Sequence, residues 1–170
     1  MINLAVSKVP RVLVLAFTLL FMGCGEKQAI SGRIPTIGFK TYSGESFTLS
    51  AEDKEVTLLV FWATWCQPCL MEIPSLVQLH EKFQGSKFRV VSVNVDDPEG
   101  QKVRAIMREY GINYPTLIGT EDIMKQFGGI VALPTSFLIG RDGRIIEKLQ
   151  GLKPEKVLEH MVVQALGVSG

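Results

Sequence analysis

At 170 residues, with 46% hydrophobic and 21% charged side chains, the chain has an ordinary globular composition and enough length for one domain with a real core. A formal net charge of +1 excludes a partner held mainly by charge, nucleic acid above all. Removal of residues 1–23, which hold Lys8 and Arg11 and no acidic residue, would bring it to −1.

The basic start is followed by an uncharged run from Val12 to Met22 and then by Gly23-Cys24, which reads as a secretory signal over residues 1–23. The run is too short to cross a hydrocarbon core that takes about 20 residues. A small residue and then cysteine at its end resembles a bacterial lipoprotein signal, which implies cleavage before Cys24 and lipid on its sulfur, although Phe21 stands where leucine is usual. The alternative is a plain signal peptide cut nearby that leaves Cys24 free. Both readings place the protein outside the cytoplasm, where a reactive cysteine pair needs a partner to reset it. Residues 24–33 are polar, as a tether would be, and the domain is expected over residues 34–170.

Alternation from Ile34 to Leu49 around Tyr42-Ser43-Gly44-Glu45 predicts a hairpin that only packs, since it holds no residue of catalytic type. Val56 to Val60 is wholly apolar and predicts a strand buried on both faces. It runs through Phe61-Trp62-Ala63-Thr64-Trp65-Cys66-Gln67-Pro68-Cys69 into a helical pattern with Leu70, Ile73, Leu76, Val77 and Phe83 on one side. Pro74 predicts a kink in that helix and Gly85 its end. A second strand is expected over Phe88 to Val95, a helix over Glu99 to Tyr110, and a short apolar run over Tyr114 to Ile118. Thr120 then opens another helix, Asp142-Gly143 marks a hairpin, and Pro154 begins a last helix to about Leu166. Parallel crossovers followed by an antiparallel hairpin describe an α/β domain with a mixed sheet and helices on both faces.

Two thiols thus fall where a buried strand turns into a helix. Unpaired N–H groups and the helix dipole stabilise a thiolate there, so Cys66 is placed to ionise below the roughly 8.5 of a free thiol. Cys69, three positions on, can swing its sulfur onto Cys66 and resolve a mixed disulfide. Pro68 holds the first turn in helical φ and gives up an N–H that the helix would not use. Gln67 puts no positive charge beside Cys66, which favours a reducing over an oxidising role. A structural disulfide is the bland alternative. A zinc site would need ligands from Cys24, His80 and His160, none in paired spacing, and haem attachment would need histidine where Leu70 stands.

The motif Trp65-Cys66-Gln67-Pro68-Cys69 after a buried strand, Leu133-Pro134-Thr135-Ser136-Phe137-Leu138-Ile139 some 65 residues on, and Asp142-Gly143 after it together resemble the thioredoxin fold. The leading hairpin, an inserted strand-helix segment between Ser92 and Tyr114 and the lipoprotein-like signal resemble the TlpA/ResA-like thiol-disulfide oxidoreductases. The resemblance implies attack by Cys66, resolution by Cys69, and a cis Pro134 that lets the Leu133 backbone pair with a bound substrate strand. It implies that Glu72 is the base for Cys69, because Val60 stands where ordinary thioredoxins carry a buried aspartate. It also implies disulfide-bearing protein substrates such as apocytochrome c, a membrane thiol as electron donor, and no cofactor beyond the Cys66–Cys69 disulfide.

Other readings stay open at this level. Glu72 could be a solvated partner of the helix dipole in the first turn. Trp62 is expected in the core and Trp65 at the rim beside a peptide-binding surface, with His80 and His160 exposed. A peroxiredoxin-like peroxidase shares the fold and the Thr64-x-Cys66 context, but Phe61 to Trp65 lacks the proline such a site carries. A metal-delivering module of the same fold would space its cysteines differently and add a histidine.

Overall fold

The computed structural model describes residues 32–167; the signal, most of the tether and Cys24 lie outside the described residues. In chain order the elements are β1 (Ile37–Lys40), β2 (Ser46–Leu49), β3 (Val56–Trp62), α1 (Gln67–Lys82), β4 (Phe88–Asn94), α2 (Gln101–Glu109), β5 (Thr116–Ile118), α3 (Glu121–Gln126), β6 (Thr135–Ile139), β7 (Ile145–Gln150) and α4 (Glu155–Leu166). Every residue of β3 is buried, as its uniform apolarity requires. Its neighbours are parallel β4 on one side and antiparallel β6 on the other, in a sheet ordered β5-β4-β3-β6-β7.

Side-chain alternation along β3 divides the core into two layers. Leu58 and Val60 meet Leu76 and Leu79 of α1 and Leu158 and Val162 of α4. Leu59 and Phe61 meet Ile37 and Leu49 of the hairpin and Ile123 and Phe127 at α3. The Phe61, Phe127 and Phe137 rings stack at tilted and edge-on angles, with centroids 5.1–5.9 Å apart. The fold is the mixed α/β sheet expected, with α1 and α4 on one face and α3 with the hairpin on the other.

Local chemistry moves several boundaries. β4 stops at Asn94, one residue short of the expected end, because the Asn94 Oδ1 accepts the N–H groups of Asp96 and Asp97 and turns the chain. α2 starts at Gln101 instead of Glu99, since the Asp97 carboxylate accepts the N–H groups of Gly100, Lys102 and Val103. Those bonds hold the Asp97 carboxyl below the usual carboxylate range. α1 runs unbroken through Pro74 and ends at Lys82; Gly85 lies beyond it in a left-handed turn. The β6–β7 turn needs glycine at 143, where φ is +76° and a Cβ would lie 2.2 Å from that of Ala51.

His80 departs from expectation. It is half-buried, and its Nδ1 accepts the Val90 N–H at 3.3 Å, along the part of β4 that β5 does not cover. Burial lowers its pKa below the ordinary 6.5, ahead of an opposing pull from Glu81. The unfolded chain therefore takes up this proton first, and stability falls as pH drops below 6.5. Urea midpoints measured between pH 7.5 and 5 should show an acid slope that His80→Asn shallows. His160 is exposed, as expected.

Candidate active site

The parallel pairing of β3 with β4 delivers the ends of both strands to one edge of the sheet, and the motif leaves from there. Cys66 is the residue that caps α1, with extended backbone dihedrals, and its Sγ accepts the Cys69 N–H at 3.3 Å. That N–H is one of the orphan donors of a helix start, and in the reduced protein it would face a thiolate. Gln67 and Pro68 form the first turn and are exposed. Cys66 and Cys69 are joined by a disulfide, with Cα atoms 5.2 Å apart. Both cysteines are buried in this disulfide form, Cys66 next to the exposed Trp65 and Gln67.

Around this pair the expected partners converge. Leu133-Pro134 is a cis peptide. Pro134 is buried, and with Cys69, Glu72, Val60 and Tyr114 it lines a cavity of about 10 Å³, the space one water needs. The Pro134 carbonyl accepts the Gly151 N–H, whereas among the described residues none of the backbone hydrogen bonds outside helices and strands uses Leu133. Leu133 packs on the cysteine cluster. Trp65 is 73% exposed at the rim while Trp62 is buried, both as expected. Val131, on the approach to Leu133, and Leu152, after Gly151, add exposed apolar surface that a peptide could cover.

Glu72 is not a solvated dipole partner. It sits in the second turn of α1 and is 2% exposed, pointing inward with Ile73 and Leu76. Its Oε1 accepts the Lys153 N–H at 2.9 Å, and its Oε2 has no partner among the described residues. Burial raises its pKa above the usual carboxyl value, and the Lys153 hydrogen bond and charge offset this only in part. A carboxyl so placed lines the same small, water-sized cavity as Cys69, and burial favours its protonated form, so it is positioned to exchange a proton there. Val60, buried on the same wall, leaves Glu72 as the acidic group lining this cavity.

The hairpin does more than pack. Tyr42 lies in the same buried cluster as both cysteines, and its hydroxyl donates to Asn94 Oδ1 at 3.1 Å and to the Asp97 carbonyl at 2.7 Å. Burial and the neighbouring Asp97 and Asp96 raise its pKa. Asp96 in turn accepts both the N–H and the hydroxyl of Thr64 in the motif loop. Tyr114, whose pKa burial and Glu72 raise, closes the cavity. Sequence reasoning missed all of these. The one signal was Asn94, a polar residue ending an apolar strand where parallel sheets place their ligands.

Gly100 marks how closely the hairpin fits. Its φ is +76°, and a Cβ would lie 2.3 Å from Tyr42 Cδ1. Gly100→Ala should destabilise the protein by about 2 kcal/mol or more, read from urea unfolding, because it adds backbone strain to displacement of the ring.

Among the described residues no cluster of three or more His, Cys, Asp or Glu could hold a metal, and no helix is long and apolar enough to cross a membrane. Residues 30–148 match the model of the AhpC/TSA family. The thiol-disulfide oxidoreductase ResA of one Bacillus cereus strain is 31% identical over 141 residues, 82% of this chain and 80% of that one. The thioredoxin-like protein YneN of Bacillus subtilis (strain 168) is 32% identical over 127 residues, 74% of each chain. Among solved structures, a thiol:disulfide interchange protein of the thioredoxin family from Chlorobium tepidum TLS superposes with a TM-score of 0.74 at 29% identity, covering 81% of this chain and 97% of that one.

Proposed function

This chain belongs to the AhpC/TSA family and is a ResA-like thiol-disulfide oxidoreductase, and from that premise we propose that it reduces disulfides in exported protein substrates, apocytochrome c among them. One observation carries the reading: a Cys66–Cys69 disulfide at a helix start, backed by a buried carboxyl.

The chemistry runs in two exchanges. The Cys66 thiolate attacks one sulfur of a substrate disulfide, forms a mixed disulfide and expels the other sulfur as thiolate. Glu72 then takes the Cys69 proton across the cavity. The Cys69 thiolate attacks Cys66 Sγ, which closes the intramolecular disulfide and releases the second substrate sulfur to be protonated. Two electrons pass from the protein to the substrate. A membrane thiol donor restores the dithiol by the reverse exchange.

Gln67 and Pro68, between the cysteines, are neutral and exposed, so the thiolate gains little beyond the helix start and the reduced form is not over-stabilised. Equilibration with glutathione or a dithiol should give a reduction potential well below −120 mV, the value of a strong thiol oxidant. A potential near −120 mV would refute the reducing role. The Thr64 hydroxyl donates to Asp96, so it is committed away from the peroxidase geometry that the Thr64-x-Cys66 context suggests.

We place the protein at a membrane surface, held by lipid on Cys24. The described chain enters the domain at Arg33 and Ile34, against the β6–β7 turn: Ile34 N–H donates to the Gly143 carbonyl at 2.9 Å. That turn closes the end of β6 far from Pro134. The described chain thus joins the domain at the end of β6 opposite Pro134 and the disulfide. Metabolic labelling with a fatty-acid analogue, lost in Cys24→Ala, tests the anchor.

A further inference from the structure

The Ala63-Thr64-Trp65 segment between β3 and α1 is held by one side chain from the loop after β4. Asp96 Oδ1 accepts the Thr64 N–H at 2.8 Å and Oδ2 accepts the Thr64 hydroxyl at 2.6 Å, so both oxygens are used on one residue. Asp96 is held in its turn. Asn94 Nδ2 donates to Oδ1 at 2.8 Å, and Asn94 Oδ1 accepts the Asp96 and Asp97 N–H groups and the Tyr42 hydroxyl. The Val95 N–H also donates to the Trp62 carbonyl at 3.0 Å, fixing this loop to the end of β3. A bidentate, charge-assisted contact on a supported carboxylate is a strong restraint.

We propose that Asp96 is a positioning residue for the redox couple: by clamping Thr64 through both carboxylate oxygens, it holds the loop before Cys66 in the shape that lets the disulfide close. The proposal rests on Cys66 and Cys69 being that couple. Closing the disulfide freezes the loop, and a loop already frozen loses less entropy on closure. Loss of the clamp lets the dithiol form loosen, whereas the disulfide form stays tied, so the disulfide loses more stability than the dithiol. An anchor that merely supports the fold would cost both forms equally and leave their ratio unchanged.

The experiment equilibrates protein with glutathione, where one protein disulfide and two glutathione thiols exchange for one protein dithiol and one glutathione disulfide. The ratio of forms is read by alkylation and mass. Thr64→Val removes the hydroxyl donor and keeps the charge of Asp96; Asp96→Asn keeps the shape and removes the second acceptor. Each should shift the equilibrium about tenfold toward the dithiol, equivalent to about 30 mV. The double variant should shift it no further, since both changes break one contact, and Thr64→Ser should restore the wild-type ratio.

If Thr64→Val leaves the ratio unchanged while its melting temperature falls equally in both redox forms, Asp96 is a structural anchor and the proposal is wrong. A shift in Asp96→Asn without one in Thr64→Val would assign the effect to charge near Cys66, which also overturns it. A wild-type pair that shows no dithiol-disulfide equilibrium would remove the redox couple itself, and the clamp with it. Should Asp96→Asn not fold, the two Thr64 variants decide alone.

Discussion

Cys69→Ser is expected to stop turnover and to leave substrate covalently held on Cys66. In the wild type the two Cα atoms are 5.2 Å apart and the sulfurs are bonded, so the second thiol needs no search to displace a substrate from the first. A serine hydroxyl at 69 cannot attack sulfur at neutral pH, and the mixed disulfide then breaks only when an external thiol arrives. Reductase turnover should fall on the order of 10³-fold. The mixed disulfide should survive non-reducing electrophoresis and vanish with dithiothreitol. Cys66→Ser should be as inactive but trap nothing. If Cys69→Ser turns over at the wild-type rate, resolution does not pass through Cys69 and the proposed exchange is wrong.

Glu72→Gln should slow the reaction and steady the fold at the same time. Its carboxyl is buried, lines the same small cavity as Cys69 and has one oxygen unpartnered among the described residues, and the substitution removes the base while keeping the Oε1 that accepts the Lys153 N–H. Loss of a positioned base costs about 10²-fold in resolution near pH 7. The deficit should shrink as pH rises above the ionisation of Cys69 itself, because the thiol then loses its proton to water.

Stability moves the other way, and the sign follows from the raised pKa. A carboxyl whose folded pKa lies above the unfolded value of 4.5 favours folding below 4.5, and that contribution is lost as pH rises through the folded pKa. At pH 7–8 the oxidised Glu72→Gln variant should therefore melt higher than the wild type, and at pH 4 the two should converge. Thermal unfolding of the oxidised proteins at both pH values checks this. A variant that loses both activity and stability would mean that Glu72 is a structural carboxylate.

Each of these outcomes depends on residues of different legibility. Cys66, Cys69, Pro68 and the buried β3 could be read directly, because a thiol pair at a strand-to-helix junction and an uninterrupted apolar run are local signals. The cis peptide at Pro134 was implied only by family likeness; nothing in the residues around it demands that geometry. The end of β4 and the start of α2 are displaced where a single side chain, Asn94 for the strand and Asp97 for the helix, takes up backbone donors, an effect that composition and periodicity do not register.

By itself the sequence determined that a mixed sheet with helices on both faces would form, with two cysteines at the mouth of a helix, since burial of apolar strands and the start of a helix are decided within a few residues. Only the tertiary structure decided the surroundings of those sulfurs. It turned Glu72 inward against Lys153, brought Tyr42 across from the hairpin, and set Asp96 on Thr64. The physical reason is that solvation and hydrogen bonding depend on who is near in space. Proximity between residues 32 and 81 positions apart is created by the fold and has no local trace in the chain.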